Sequence, residues 1–237
     1  MKKLSVDIWS DIACLWCYVG KRRLETALDA FPRRALVEIT WRAFELDPSA
    51  PRALPEGVSY AARLAKKYGT SVTQADGMIQ RMTEVAAADG LDFRFDRIRS
   101  GNTFDAHQLL QLAARQGLQG ALKERFLHAY FTEGEPIGDA ETLVRLAAEV
   151  GLDADEARSA LTTGAFAAEV RAEEDEARAL GITGVPFFVV AGRYAVSGAQ
   201  PAELLLRALE KALGEQLKHA PEDLLDEGAA CGPAGCS

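Results

Sequence analysis

The sequence predicts an α/β fold in which a helical block interrupts a small sheet. Three observations carry that prediction. Strand-like segments fall near the two ends of the chain, at residues 4–9, 37–44 and 185–197. Between them, residues 59–164 carry helical spacing almost throughout. Two cysteines, Cys14 and Cys17, stand where the first strand gives way to the first helix.

Each element follows from its own pattern. Leu4-Ser-Val-Asp-Ile-Trp9 reads as a buried strand, and residues 14–31 as a helix. Val37 to Phe44 alternates apolar and polar positions and is rich in β-branched and aromatic residues, which suits a second strand. Asp47-Pro48 then opens a loop holding Pro48, Pro51 and Pro55, the exit from the first substructure. Asn102-Thr-Phe-Asp-Ala-His107 leads into Leu109, Leu110, Leu112 and Ala113, and Gly117 stops that helix. Leu122, Phe126 and Tyr130 follow at helical spacing, then Leu143, Leu146 and Val150, with Gly151 just past the end. Phe166 to Leu180 is an amphipathic helix ending at Gly181, and its acidic run Glu173-Glu174-Asp175-Glu176 reads as a solvated face.

Strand character returns at Val185 to Val190 and at Tyr194 to Ser197, joined as a hairpin through Ala191-Gly192-Arg193. Pro201 opens a last helix, expected to end at Leu213. The order β-α-β, helical block, α-β-β-α is that of a thioredoxin fold with a helical domain inserted after the β-α-β half. The boundaries this implies are 1–55 and 165–213 for the thioredoxin-like domain and 56–164 for the inserted one. Residues 214–237 form a polar C-terminal tail with a second cysteine pair, and its glycine-rich end is expected to be flexible.

Composition excludes several function classes. A 48% apolar content supports a sizeable core. The net charge of −8 argues against nucleic acid or an anionic membrane as partner, since both need a basic face. The start, Met-Lys-Lys-Leu-Ser-Val-Asp, lacks the apolar run and small-residue site of an export signal. No stretch approaches the roughly 20 apolar residues of a membrane span. The expected location is therefore the cytoplasm.

The four cysteines fall into two close pairs, Cys14/Cys17 and Cys231/Cys236. Structural disulfides would be scattered, whereas close pairs in a chain without an export signal point to redox or metal chemistry. At a helix start the unpaired N–H groups and the dipole favour a thiolate, so Cys14 is expected to be the attacking sulfur. Cys17, one turn further in, can close the ring. The plainer alternatives are half a zinc site or two core thiols. Zinc usually takes four ligands, and no histidine stands near Cys14 in sequence, so no metal is assigned.

Three segments together resemble the DsbA-like thioredoxin superfamily: Asp11-Ile-Ala-Cys-Leu-Trp-Cys-Tyr-Val-Gly20, Asn102-Thr-Phe-Asp-Ala-His107 and Gly181-Ile-Thr-Gly-Val-Pro-Phe-Phe188. Within it the chain is similar to FrnE-type proteins, which are related to 2-hydroxychromene-2-carboxylate isomerases and kappa-class glutathione transferases. The resemblance covers roughly residues 1–215 and implies a thiol–disulfide oxidoreductase. It implies that Pro186 is cis and faces the cysteine pair, leaving Val185 backbone groups free to bind an extended substrate. Cys231 and Cys236 resemble the extra pair of some FrnE-type members. The usual motif of this branch has proline where Leu15 stands, so Leu15 is expected to set the redox poise, by tens of millivolts.

Leu15 and Trp16 are candidate substrate contacts, and a packing role suits Trp16 equally well. Asn102 and His107 are candidate pocket residues, although a histidine opening an apolar helix is more often structural. Asp7 and Asp11 flank the end of the first strand, where capping the helix is the plain role for Asp11. His128 and His219 stand alone. The expected partners are protein thiol or disulfide clients and a redox partner the sequence does not identify. No resident cofactor is expected, with glutathione a candidate co-substrate. Three alternatives stay open: a glutathione-dependent isomerase or transferase, a metal-binding module, and a holdase. Isomerase relatives typically carry serine at the position of Cys14. Cys231/Cys236 is read as a shuttle pair, with a structural disulfide or a shared zinc site as the other options.

Overall fold

The structure, a computed structural model, describes residues 3–53 and 58–218. Cys231, Cys236 and His219 lie outside the described residues. The sheet runs β2-β1-β3-β4. β1 (Leu4–Ser10) and β2 (Val37–Ala43) pair in parallel, Leu4 opposite Val37 and Ser10 opposite Ala43. A parallel pair needs a crossover, and α1 (Leu15–Ala30) supplies it. β3 (Phe187–Val190) runs antiparallel to both β1 and β4 (Tyr194–Ser197). Ala191 and Gly192, with φ of 54° and 65°, turn the chain between them.

Between β2 and β3 come α2 (Tyr60–Tyr68), α3 (Val72–Ala88), α4 (Phe104–Arg115) and α5 (Gln119–His128), then a π-turn at Ala129–Glu133. They are followed by α6 (Ala140–Glu149), α7 (Ala154–Thr163) and α8 (Ala167–Ala179). α9 (Ala202–Lys218) closes the described fold. The thioredoxin-type order read from the sequence is the order observed. Among the described residues, no helix is long and apolar enough to cross a membrane.

Helix α1 belongs to two cores, and this places the cysteines. Leu24, Leu28 and Phe31 on its later turns join Leu4, Val6 and Ile8 of β1 and Leu205 and Leu209 of α9. Leu15, Tyr18 and Val19 on its first turns instead join Leu109, Phe126, Phe131 and Leu143 of the helical block. Each such buried side chain contributes about 1.5–3 kcal/mol. Both cores therefore grip the helix whose first turn carries the thiols.

Three expectations need correction. The acidic run is not simply a solvated face: Glu173 and Glu174 are each only 8% exposed. They close the open edge of β2. Glu173 accepts from the Ala43 N–H at 2.7 Å and Glu174 from the Glu45 N–H at 3.2 Å. Gln119 of α5 completes the cover, binding both the N–H and the carbonyl of Trp41. Unpaired edge groups invite other strands, and here side chains occupy them. The second correction is α9, which continues past Leu213 and Gly214 as far as Lys218, the last described residue. A glycine inside a helix costs about 1 kcal/mol, less than the burial of Leu209, Ala212 and Leu213 supplies. The third concerns Asp11, which does not cap α1. Cys14 is the N-cap, and the Asp11 carboxylate accepts from Leu46 N–H at 2.8 Å.

Candidate functional site

The site grows from the first turn of α1. Cys14 is 6% exposed, while Cys17, one turn deeper, is fully buried. The Cys17 N–H donates to the Cys14 carbonyl at 3.0 Å, so the turn holds the pair in register. The Cys14 thiol donates to the Val185 carbonyl at 3.4 Å. The Val185–Pro186 bond is cis. Pro186 packs so closely on α1 that a Cβ at Gly20 would lie 2.9 Å from its Cγ. Gly20 thus allows the strand β3 loop to lie beside the thiols.

The electrostatics belong to the pair. Its first proton leaves more readily than that of an isolated thiol, and its second is held far more tightly. Against the cost of burial, the Cys14–Cys17 hydrogen bond and the charge of Lys123 favour one thiolate on Cys17. The same hydrogen bond, burial and the charge on Cys17 then push Cys14 up. The sequence had placed the favoured thiolate on Cys14 through the helix terminus. The structure adds a cation beneath Cys17 that the local motif does not reveal.

That cation is Lys123 of α5. It is fully buried, its Nζ donates to the Ser10 carbonyl at 3.3 Å, and it lies 5.6 Å from the centre of the Trp41 ring. Burial lowers its pKa to about 8, opposed by the negative groups around it. The periodicity did carry a signal. Gln119, Leu122, Lys123, Phe126 and Leu127 form the buried face of α5, so a lysine sits where an apolar residue is normal.

A cavity of about 620 Å³ opens beside Cys14, Leu15 and Trp16. Trp16 is 40% exposed, whereas Leu15 is largely buried and belongs to the helical core. Across the cavity stand Tyr60 and Arg63 of α2, Met82 of α3 and Tyr130 of the π-turn. None of these four was singled out in the sequence as a site residue; Tyr130 was read only as part of a helix. Tyr130 is fixed by a 2.8 Å hydrogen bond with Ser100.

The remaining sequence candidates have structural partners. Asn102 donates to Glu45 at 3.0 Å and accepts from Phe104 N–H at 2.9 Å, opening α4. His107 is buried and lies 3.4 Å from Asp11, behind the cavity wall. Burial opposes the ionised form of Asp11, but His107 and the Leu46 N–H outweigh it and hold the carboxyl low. Asp7 pairs with Arg42 on the neighbouring strand at 2.7 Å. His128 lies 3.1 Å from Glu133. Among the described residues, no three His, Cys, Asp or Glu side chains form a metal-binding group.

Comparison with known proteins agrees with this geometry. The chain is 29% identical over 216 residues to the uncharacterized protein YwbO of Bacillus subtilis (strain 168), covering 90% of this chain and 97% of that one. It is 47% identical to a probable DsbA oxidoreductase, SCO1869 from Streptomyces coelicolor, with a TM-score of 0.84 and coverage of 99% and 98%. The fold also matches the cytosolic disulfide reductase DsbM from Pseudomonas aeruginosa, solved with GSH, at 18% identity and a TM-score of 0.60, covering 90% of this chain and 99% of that one. The model of the DSBA-like thioredoxin domain matches residues 5–210. A cysteine pair at the start of α1, with a cis-proline loop against it, is thus set in a chain that belongs to the DsbA-like thioredoxin family.

Proposed function

We propose that this protein is a thiol–disulfide oxidoreductase of the FrnE type, in which Cys14 exchanges disulfides and Cys17 resolves them. The observation that carries the reading is the unequal access of the two sulfurs. Cys14 borders the cavity, and Cys17 is sealed beneath it. Only Cys14 can meet an incoming sulfur. In the reducing direction, its thiolate attacks a substrate disulfide and forms a mixed disulfide, and one substrate thiolate leaves. Cys17 then attacks the Cys14 sulfur, closes the intramolecular disulfide and expels the second thiolate. The hydrogen bond between the two sulfurs passes the single negative charge from Cys17 to Cys14 at the start. Lys123 favours the Cys17 thiolate needed for the resolving step.

The substrates are protein thiols or disulfides, or small thiols such as glutathione, and a separate redox partner resets the pair. The working compartment is the cytoplasm. No resident cofactor is needed for this chemistry. The similarity to the Streptomyces protein, a probable DsbA oxidoreductase, and to the Pseudomonas cytosolic disulfide reductase supports the reading. Cys231 and Cys236 act in this scheme as a tethered second pair that exchanges with the first. Deleting residues 229–237 should then impair turnover with protein clients but spare Cys14 reactivity.

The decisive experiment is a trapping pair. Cys17→Ser should accumulate mixed disulfides with clients, and Cys14→Ser should accumulate none and lose insulin reduction and thiol oxidation. Retained activity in Cys14→Ser would end the assignment. One observation, the small-molecule-sized cavity beside Cys14, favours a second reading as a glutathione-dependent isomerase. Turnover of a chromene carboxylate with glutathione would select it.

A further inference from the structure

We propose that the cavity beside Cys14 is a binding site for a small organic disulfide or thiol that carries a carboxylate, with Arg63 as the carboxylate anchor. The inference rests on Cys14 being the reactive sulfur.

The walls of the cavity are regular. From α2 they take Tyr60, Arg63, Leu64, Lys67 and Tyr68, which is one helical face. From α3 they take Met78, Arg81, Met82 and Val85, again one face. Faces with this spacing normally close on a core. Here they line a space whose volume suits a small molecule rather than a folded protein. Aromatic rings and methionines offer the body of such a molecule an apolar bed.

Arg63 decides the polarity of the ligand. Its Nε and Nη2 are sealed from solvent and have no hydrogen-bond partner among the described residues. Its guanidinium lies over the Tyr60 ring, 5.2 Å from the centre, which fixes the side chain but satisfies none of its N–H groups. A buried cationic donor left unpaired is costly. Five arginines elsewhere, Arg22, Arg42, Arg125, Arg158 and Arg171, each hold a carboxylate. The two lining carboxylates are already engaged, Asp11 with His107 and Leu46, and Asp47 with Ser49. Lys67 and Arg81 add two more cations without a carboxylate partner among the described residues. The sealed Nε and Nη2 lie out of a ligand's reach, so the carboxylate contact falls to the remaining terminal nitrogen, Nη1, as a single charge-assisted hydrogen bond. The group the cavity selects is therefore an anion, and the sulfur chemistry at its edge selects a thiol or disulfide.

The step balances without a further reagent in a single turnover. The Cys14 thiolate attacks one sulfur of R–S–S–R, the S–S bond breaks, and RS⁻ leaves with the electron pair. Cys17 then attacks the Cys14 sulfur and releases the second RS⁻. The protein dithiol loses two electrons, R–S–S–R gains them, and the two thiol protons end on two molecules of RSH.

Two aromatic disulfides whose released thiols are read by absorbance test the proposal. Dithiobis(nitrobenzoate) carries a carboxylate on each ring, and dithiodipyridine carries none. Their single-turnover rates with reduced full-length protein are compared in a Cys231→Ser, Cys236→Ser background, so that only Cys14 and Cys17 report. Arg63→Gln should lower the ratio of the carboxylate rate to the pyridine rate by about tenfold, the scale of one charge-assisted hydrogen bond. Arg63→Lys should keep part of that ratio, which separates loss of charge from misfolding. A ratio unchanged in Arg63→Gln overturns the anchor while leaving Cys14 as the reactive sulfur. If instead Cys14→Ser still reacts rapidly with dithiodipyridine, the underlying assignment of the reactive sulfur falls.

Discussion

The wall that β1, α1 and the Val185–Pro186 loop give the site works through backbone, and the wall that α2 to α5 give it works through charged side chains. On the first wall, Cys14 meets the Val185 carbonyl and Cys17 is held by a main-chain bond to Cys14. On the second wall, Lys123 and Arg63 face the sulfurs and the cavity, one sealed beneath Cys17 and the other with buried, unpartnered N–H groups. The difference separates two tasks. Position comes from main-chain contacts, one within the first turn of α1 and one brought by the Val185–Pro186 loop. The charges that bias the thiolate and border the cavity come from side chains of the helical block.

The largest expected effect breaks the first wall. Gly20→Val pushes side-chain atoms into Pro186, whose Cγ already lies 2.9 Å from where a Cβ would sit. Phe188 stands 3.3 Å away on the same side, so the loop has little room to retreat. Overpacking of this kind costs about 3 kcal/mol. Denaturant unfolding of the reduced protein should show that loss, and a stability within 0.5 kcal/mol of the parent, the usual range for surface changes, would mean the loop yields freely.

The seam between the walls gives the next effect. Tyr18, Lys21 and Arg22 of α1 all bind Glu124 of α5, with the tyrosine hydroxyl donating at 2.7 Å. Burial raises the Glu124 pKa, but Arg22 and Lys21 outweigh it and bring it to about 2. A carboxylate lowered in the folded state adds stability above its unfolded pKa and loses it as pH falls towards the folded value. Discounted for the partial exposure of Glu124, Glu124→Gln should cost about 2 kcal/mol at neutral pH. The difference from the parent should fade between pH 4.5 and pH 2. Equal losses at pH 7 and pH 2 would show that packing, not charge, joins the walls.

These two predictions also mark what a sequence can reveal. The strand, the cysteine pair and the Val185-Pro186 dipeptide were legible because each is a short segment with a local reason. The sheet order followed, since a β-α-β start and a hairpin end leave few ways to pair. Lys123 and Arg63 were not legible as site residues. Lysine and arginine usually belong to the surface, and what buries these two comes from other elements. Glu173 and Glu174 misled for the same reason: an acidic run is normally solvated, and only the open edge of β2 explains their burial. Asn102 and His107 stood out in sequence, yet they open α4 and brace Asp11.

Lys123→Met tests the second wall directly. The change keeps most of the length of the side chain and removes its charge beneath Cys17. A nearby cation favours a thiolate, so its loss should raise the first pKa of the pair. Thiolate absorbance against pH reads the shift without reference to activity. An unmoved titration curve would assign the lowered first pKa to the Cys14–Cys17 hydrogen bond alone.

Leu15→Pro gives the smallest expected effect and the sharpest comparison. Leu15 opens α1, where a missing N–H costs little and proline fits the backbone. Its side chain is 8% exposed and packs with Ile12, Tyr18 and Val19, so it acts through the core more than through the sulfurs. Proline there leaves Lys123, the hydrogen bond between the thiols and the Val185 carbonyl in place. The reduction potential should therefore move by tens of millivolts at most, on the order of 20 mV, where 30 mV corresponds to ~1.4 kcal/mol. The shift should be smaller than that of Lys123→Met, measured against the same glutathione buffer. If Leu15→Pro moves the potential further, the dipeptide between the cysteines governs the redox poise. The tuning would then belong to the local wall after all, and the helical wall would be left with ligand choice alone.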